Sequence, residues 1–147
     1  MATTRIPRFS GSRLRAARTA REWARGRLAV AVGVTVTSVA SWERGVRSPT
    51  PAMLKRLAGV LGVVPGDLLD LPQSEWGQNE WRVTNGLEQR EVAAALGVSP
   101  TTLSAVEATY SPFPTGMPER LATLYGTTSA EIESAWERDR RRLTTTG

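Results

Sequence analysis

The side chains on which most enzyme chemistry rests are missing from this chain. It has no histidine and no cysteine, which removes the commonest general base and metal ligand, the thiolate nucleophile and any disulfide. No nucleophile constellation replaces them, so the reading is a protein that is not an enzyme and needs no cofactor and no metal. What remains is hydroxyl and guanidinium chemistry. Thr37 and Ser41 stand four residues apart within GVTVTSVASWERG, residues 33–45, a spacing that projects both hydroxyls from one helix face as donors or acceptors. Arg25 precedes this stretch, while Arg44 and Arg47 end and follow it; the planar donor fork of arginine suits phosphate oxygens.

Charge is unevenly spread. Residues 1–70 carry twelve basic and four acidic side chains, net +8, whereas residues 71–147 carry seven and ten, net −3. A basic half attracts a polyanion, either nucleic acid or an anionic membrane surface. The longest uncharged run, Leu28 to Trp42, has 15 residues, short of the roughly 18 that suggest a membrane span. Its position after an Arg-rich segment also resembles a secretory signal.

An internal repeat decides against the signal. Shifted by 64 positions, Arg18 to Leu68 aligns with Arg82 to Ile132 without a gap, and 12 of the 51 pairs are identical; chance gives about three or four. Among the identities are Arg18/Arg82, Gly33/Gly97, Thr37/Thr101, Glu43/Glu107, the Arg-Leu-Ala triplets at 56 and 120, and Gly62/Gly126. The uncharged run recurs at Val92 to Val106, so it is an element of a fold. The reading is residues 1–72 as one domain, 73–79 as a linker and 80–147 as a second domain with an extended last helix.

Each copy reads as short helices. Ser10 or Ser12 caps a first helix reaching about Glu22, with Leu14, Ala17 and Arg18 on one face. A second runs from about Ala24 to Val32, places Leu28, Ala31 and Val32 inward, and stops at Gly33. Thr35 caps a third to about Arg44. Thr50-Pro51 opens a fourth, in which Met53, Leu54, Leu57, Ala58 and Leu61 recur at helical spacing until Gly62. Pro65 opens a fifth. The second copy repeats these signals with different residues: Ser99-Pro100 as cap and first turn, and the capping box Thr128 to Glu131. Trp76 and Trp81 are expected to pack between the copies.

Two short helices joined by a glycine-led turn of about three or four residues form a helix-turn-helix, whose second helix fits the DNA major groove. LAVAVGVTVTSVASWERG followed by SPTPAMLKRLAGVLGVVPGDLL, and EVAAALGVSPTTLSAVE in the second copy, resemble the five-helix DNA-binding domain of phage repressors and Cro (the XRE family), in the manner of repressors of actinobacterial phages or plasmids. The resemblance implies an all-α fold of two tandem lambda-repressor-like domains in a cytoplasmic protein of the bacterial nucleoid. Its partner is double-stranded DNA, bound as a homodimer or as a monomer on an asymmetric site, with no membrane.

Carried onto this chain, the family's base contacts fall on Val36, Thr37, Ala40 and Ser41, and its phosphate contacts on Arg25, Thr35, Arg44 and Arg47. Arg5 and Arg8 lie on an N-terminal arm. The recurring Arg18 with Glu43, and Arg82 with Glu107, are implied to be structural ion pairs that orient the third helix. In the second domain Gln89, Ser99, Pro100, Thr101, Thr102 and Ala105 make a candidate second head, although the arginines around it are replaced and Glu88 and Glu91 stand where phosphates would lie. Ile132, Trp136 and Leu143, with Arg138, Arg140, Arg141 and Arg142, mark the last helix as a surface for a second chain or for DNA. The functional expectation is a sequence-specific transcriptional regulator acting as a repressor. The alternative is a protein-binding adaptor or antitoxin using the same fold.

Overall fold

The computed structural model describes residues 6–145. Nine α-helices and two short 3-10 turns make up the regular structure of these residues, and the only β-type pairing among them is one isolated bridge between Phe9 and Leu69. Arg5 lies outside the described residues. The chain divides into two compact units, one of residues 1–72 with 83–86 and one of residues 73–82 with 87–147.

In the first unit, Ser10 accepts the backbone N–H of Arg13 and starts α1, Gly11–Ala20. α2 spans Arg25–Val32 and ends at Gly33, whose φ of 78° closes it in the left-handed conformation. Thr35 caps α3, Val36–Glu43, by accepting the N–H of Ser38. Thr50 caps α4, Pro51–Leu61, with proline in the first turn where its missing N–H costs nothing. The expected fifth helix is a single 3-10 turn, Pro65–Leu68. It stops because Leu69 turns extended and pairs with Phe9, while Ser10 donates to the Leu68 carbonyl and Asp70 to that of Arg8. The arm residue Arg8 is therefore tied down through its main chain, and Ile6 beside it is buried.

Leu14, Leu28, Ala29, Val32, Val39, Trp42, Leu54, Leu57, Leu61 and Leu68 form the core. In α2 the buried alanine is Ala29, and Ala31 faces solvent. One departure in eight residues follows from a helix too short for its periodicity to settle its phase.

The pattern repeats at the same offset. α5 is Gln78–Thr84, α6 Gln89–Leu96, α7 Pro100–Glu107, α8 Met117–Tyr125 and α9 Ser129–Thr145. These helices belong to the second unit except for the last two residues of α5. α6 and α7 begin and end 64 residues after α2 and α3. The left-handed turn residues keep that offset even where the residue type changes: Glu22 and Gly86, Gly45 and Thr109. Here the fifth element is a full helix, since Ser129 onward offers helix formers with no proline or glycine. Trp76 and Trp81 are both buried and meet edge to face, centroids 4.9 Å apart, within this unit. The backbone around Trp76 is held by α9: Arg138 Nε donates to the Trp76 carbonyl at 2.8 Å, Arg142 donates to that of Glu75, and Asp139 accepts the Gln78 N–H at 2.9 Å.

Candidate nucleic-acid interface

The centre of the first unit's site is a carboxylate. Glu43, at the end of α3, has a side chain only 1% exposed. Arg18 from α1 grips it with two bonds, Nε to Oε2 at 2.6 Å and Nη2 to Oε1 at 3.0 Å, and Arg18 Nη1 also donates to the Trp23 carbonyl at 2.7 Å. Burial pushes the Glu43 carboxyl up, but the hydrogen bonds from Arg18 and then Arg25 outweigh it, leaving the group below its ordinary value. The bond to Glu43 likewise raises Arg18, against the opposing effect of burial. One carboxylate thus ties α1, α2 and α3 together at the C-terminal end of α3.

Arg25 is the third party in this clamp. Expected at a phosphate, it donates Nε to Glu43 Oε1 at 3.1 Å, with 41% of its side chain still exposed. The physical reason is that a carboxylate so deeply buried gains from each cation within reach. In the second unit Gln89, at the matching position, donates Nε2 to Glu107 Oε1 at 3.0 Å, and Arg82 Nε reaches Glu107 Oε2 at 2.8 Å.

The outward face of α3 is narrower than its sequence suggests. Thr37 is exposed, Val36 is 51% exposed and Ala40 is half-buried. Ser41, expected to face outward, is only 8% exposed. The chain turns back over this end of the helix, Val46 and Arg47 donating to the Ser41 carbonyl at 3.1 and 3.4 Å, and a side chain as short as serine does not clear the turn. The Thr35 hydroxyl is spent on the cap, accepting from Ser38 N and donating to Ser38 Oγ, both at 3.1 Å. Arg44 and Arg47 are exposed, and among the described residues neither has a carboxylate within ion-pair distance.

The first turns of α2 and α6 differ. α2 has no side-chain cap and no acidic residue in its first turn, so its free N–H groups and dipole are open to an anion. At α6 the Glu91 carboxylate accepts the Glu88 N–H at 2.9 Å, placing negative charge at the same end. On α7, Ser99 caps the Thr102 N–H at 3.1 Å, while Pro100 and Thr101 are exposed and Thr102 and Ala105 half-buried. Gln89, Pro100, Thr101, Ser104, Ala105, Ala108 and Tyr110 line an open concavity of about 440 Å³, with Tyr110 78% exposed at its edge.

Sequence reasoning missed a second arginine tie that both units share. Arg56 Nη1 donates to the Val32 carbonyl at 3.3 Å, and Arg120 Nη1 to that of Leu96 at 2.7 Å, closing the C-terminus of the helix before the turn. The repeated Arg-Leu-Ala triplets were its visible signal.

Residues 14–69 match the family described as Helix-turn-helix, and residues 79–135 match a second, described as Helix-turn-helix domain. No curated protein and no solved structure matches the chain. No described helix is long and apolar enough to cross a membrane. With a pair of short helices joined by a left-handed glycine at the centre of each unit and a family match over each, the chain carries two tandem helix-turn-helix domains.

Proposed function

We propose that the first unit binds double-stranded DNA sequence-specifically and that the protein regulates transcription as a repressor, with α3 in the major groove. The observation that carries this reading is the combination on one helix pair: Val36 and Thr37 exposed at the start of α3, unpaired Arg44 and Arg47 just beyond it, and an uncapped α2 N-terminus. Small side chains allow close approach, and a thymine methyl is a natural partner for Val36 or the Thr37 methyl. None of them makes a bidentate base contact, so part of the specificity comes from DNA shape.

Selection of bound duplexes from a random pool tests this. Thr37→Ala is expected to relax preference at one or two base pairs, and an identical selected motif would overturn the assignment. Arg44→Ala should weaken binding to all sequences and reduce the salt slope by about 0.9.

The second unit serves as a second head or a pairing module. Its acidic α6 start and neutral α7 face favour pairing, and they are also what supports the alternative of a protein-binding adaptor. A footprint of the full chain carrying Gln89→Ala and Thr101→Ala separates the roles: a shortened footprint marks a second head, an unchanged one marks pairing.

A further inference from the structure

The contacts above leave one cationic feature of the first unit unused. Between α1 and α2 the Arg21 guanidinium lies 4.9 Å, and that of Arg27 4.6 Å, from the centroid of the Trp23 ring. Neither arginine has a carboxylate within ion-pair distance among the described residues; the ion pairs of this unit both end on Glu43. Glu22 sits between Arg21 and Trp23 in a left-handed conformation, φ 59°, and is exposed.

Two like charges on one ring repel, while a cation–π contact at an exposed site returns little. An anion between them turns that repulsion into attraction. A guanidinium drawn to a ring by its charge still carries five N–H donors, the fork that pairs with two phosphate oxygens. Contact with the ring also restrains two long side chains before any ligand arrives, lowering the entropy cost of binding. The backbone that carries the ring is anchored, because the Trp23 carbonyl accepts Arg18 Nη1 at 2.7 Å, the same arginine that holds Glu43. At the positions 64 residues further on stand Asn85, Leu87 and Glu91, so the second copy of the repeat does not reproduce the feature.

We propose that Arg21, Trp23 and Arg27 form a phosphodiester-binding platform that grips the DNA backbone outside the positions read by α3. This rests on the reading of the first unit as a DNA binder. It lengthens the footprint and adds affinity without adding sequence information, as backbone contacts do.

The test is binding of the full chain to its selected duplex, followed by fluorescence anisotropy from 50 to 200 mM salt. Arg21→Gln with Arg27→Gln is expected to reduce the slope of log K against log salt by about 1.8, two phosphate contacts at 0.9 each, while the selected motif stays the same. Trp23→Leu keeps both charges and should weaken binding at every salt concentration. Arg13→Gln with Arg15→Gln removes the same charge from exposed positions on α1 and should change the slope by less than about 0.5. Thermal melts by circular dichroism check that each variant folds.

An unchanged slope in the first variant, an equal loss in the α1 control, or wild-type affinity with Trp23→Leu overturns the platform. If the wild-type chain itself shows no salt-dependent preference for a duplex, the DNA-binding reading has failed instead, and the two failures are told apart by that first measurement.

Discussion

Glu43 joins three helices of the first unit through Arg18 and Arg25. Its carboxylate is buried against two guanidiniums, so replacing it strands Arg18, whose side chain is itself only 9% exposed. Glu43→Gln is expected to cost about 3–5 kcal/mol, the range for breaking a buried ion pair by removing one partner, read as a drop in urea midpoint. Because its carboxyl titrates below the ordinary value, the clamp contributes stability above the unfolded-state pKa and loses it as pH falls through the folded one. Thr109 is the opposite case. It is a β-branched residue at φ 61° with a buried hydroxyl that has no hydrogen-bond partner among the described residues. Glycine stands at the matching position of the first unit, and Thr109→Gly is expected to stabilise the fold by about 1–2 kcal/mol, the cost of left-handed backbone for an L-residue.

At the scale of elements, two glycines in helices make opposite predictions. A Cβ on Gly11, at the start of α1, would lie 2.3 Å from the Trp42 carbonyl oxygen and 2.5 Å from that of Glu43. Gly11→Ala should therefore push α1 off the end of α3, lowering the melting temperature. Gly59, inside α4, has nothing within 4 Å of an added Cβ, and Gly59→Ala should stabilise by about 0.5–1 kcal/mol. The elements themselves were largely legible, because caps are local chemistry: Gly33, Thr35, Thr50-Pro51, Gly62 and Ser99-Pro100 each do what their neighbours alone require. The destinations of long side chains were not. Where Arg25 points depends on a carboxylate 18 residues away, and the burial of Ser41 depends on a loop folding back. Ala31 was taken for a core position, where Ala29 is the buried one, because two turns of helix leave the phase open.

For the molecule as a whole, the two units answer acid differently. Burial first, then the nearby Glu80 and Glu107 charges, pushes Asp139 up to about 6, against the opposing effects of the Gln78 N–H and Arg142. A carboxyl whose folded pKa lies above its unfolded one holds its proton more tightly when folded. Stability from this group therefore falls as pH rises from about 4 to 6 and is level beyond, whereas the Glu43 clamp strengthens with rising pH. Asp139→Asn can still accept the Gln78 N–H through its amide oxygen, and it should remove that fall, leaving the variant relatively more stable at pH 7.5 than at pH 5. Urea titrations of wild type and variant at both values check the sign.

The grip on α3 by Gly11, Arg18 and Arg25 falls at the end of the helix away from Thr37. The contacts that hold α3 in the fold and the exposed residues proposed to read DNA thus occupy separate parts of one eight-residue helix. On the proposed reading of α3, exchanging residues 36 and 37 is expected to change the preferred sequence while the scaffold that delivers them is left alone, so new binding preferences are expected to be accessible in single steps.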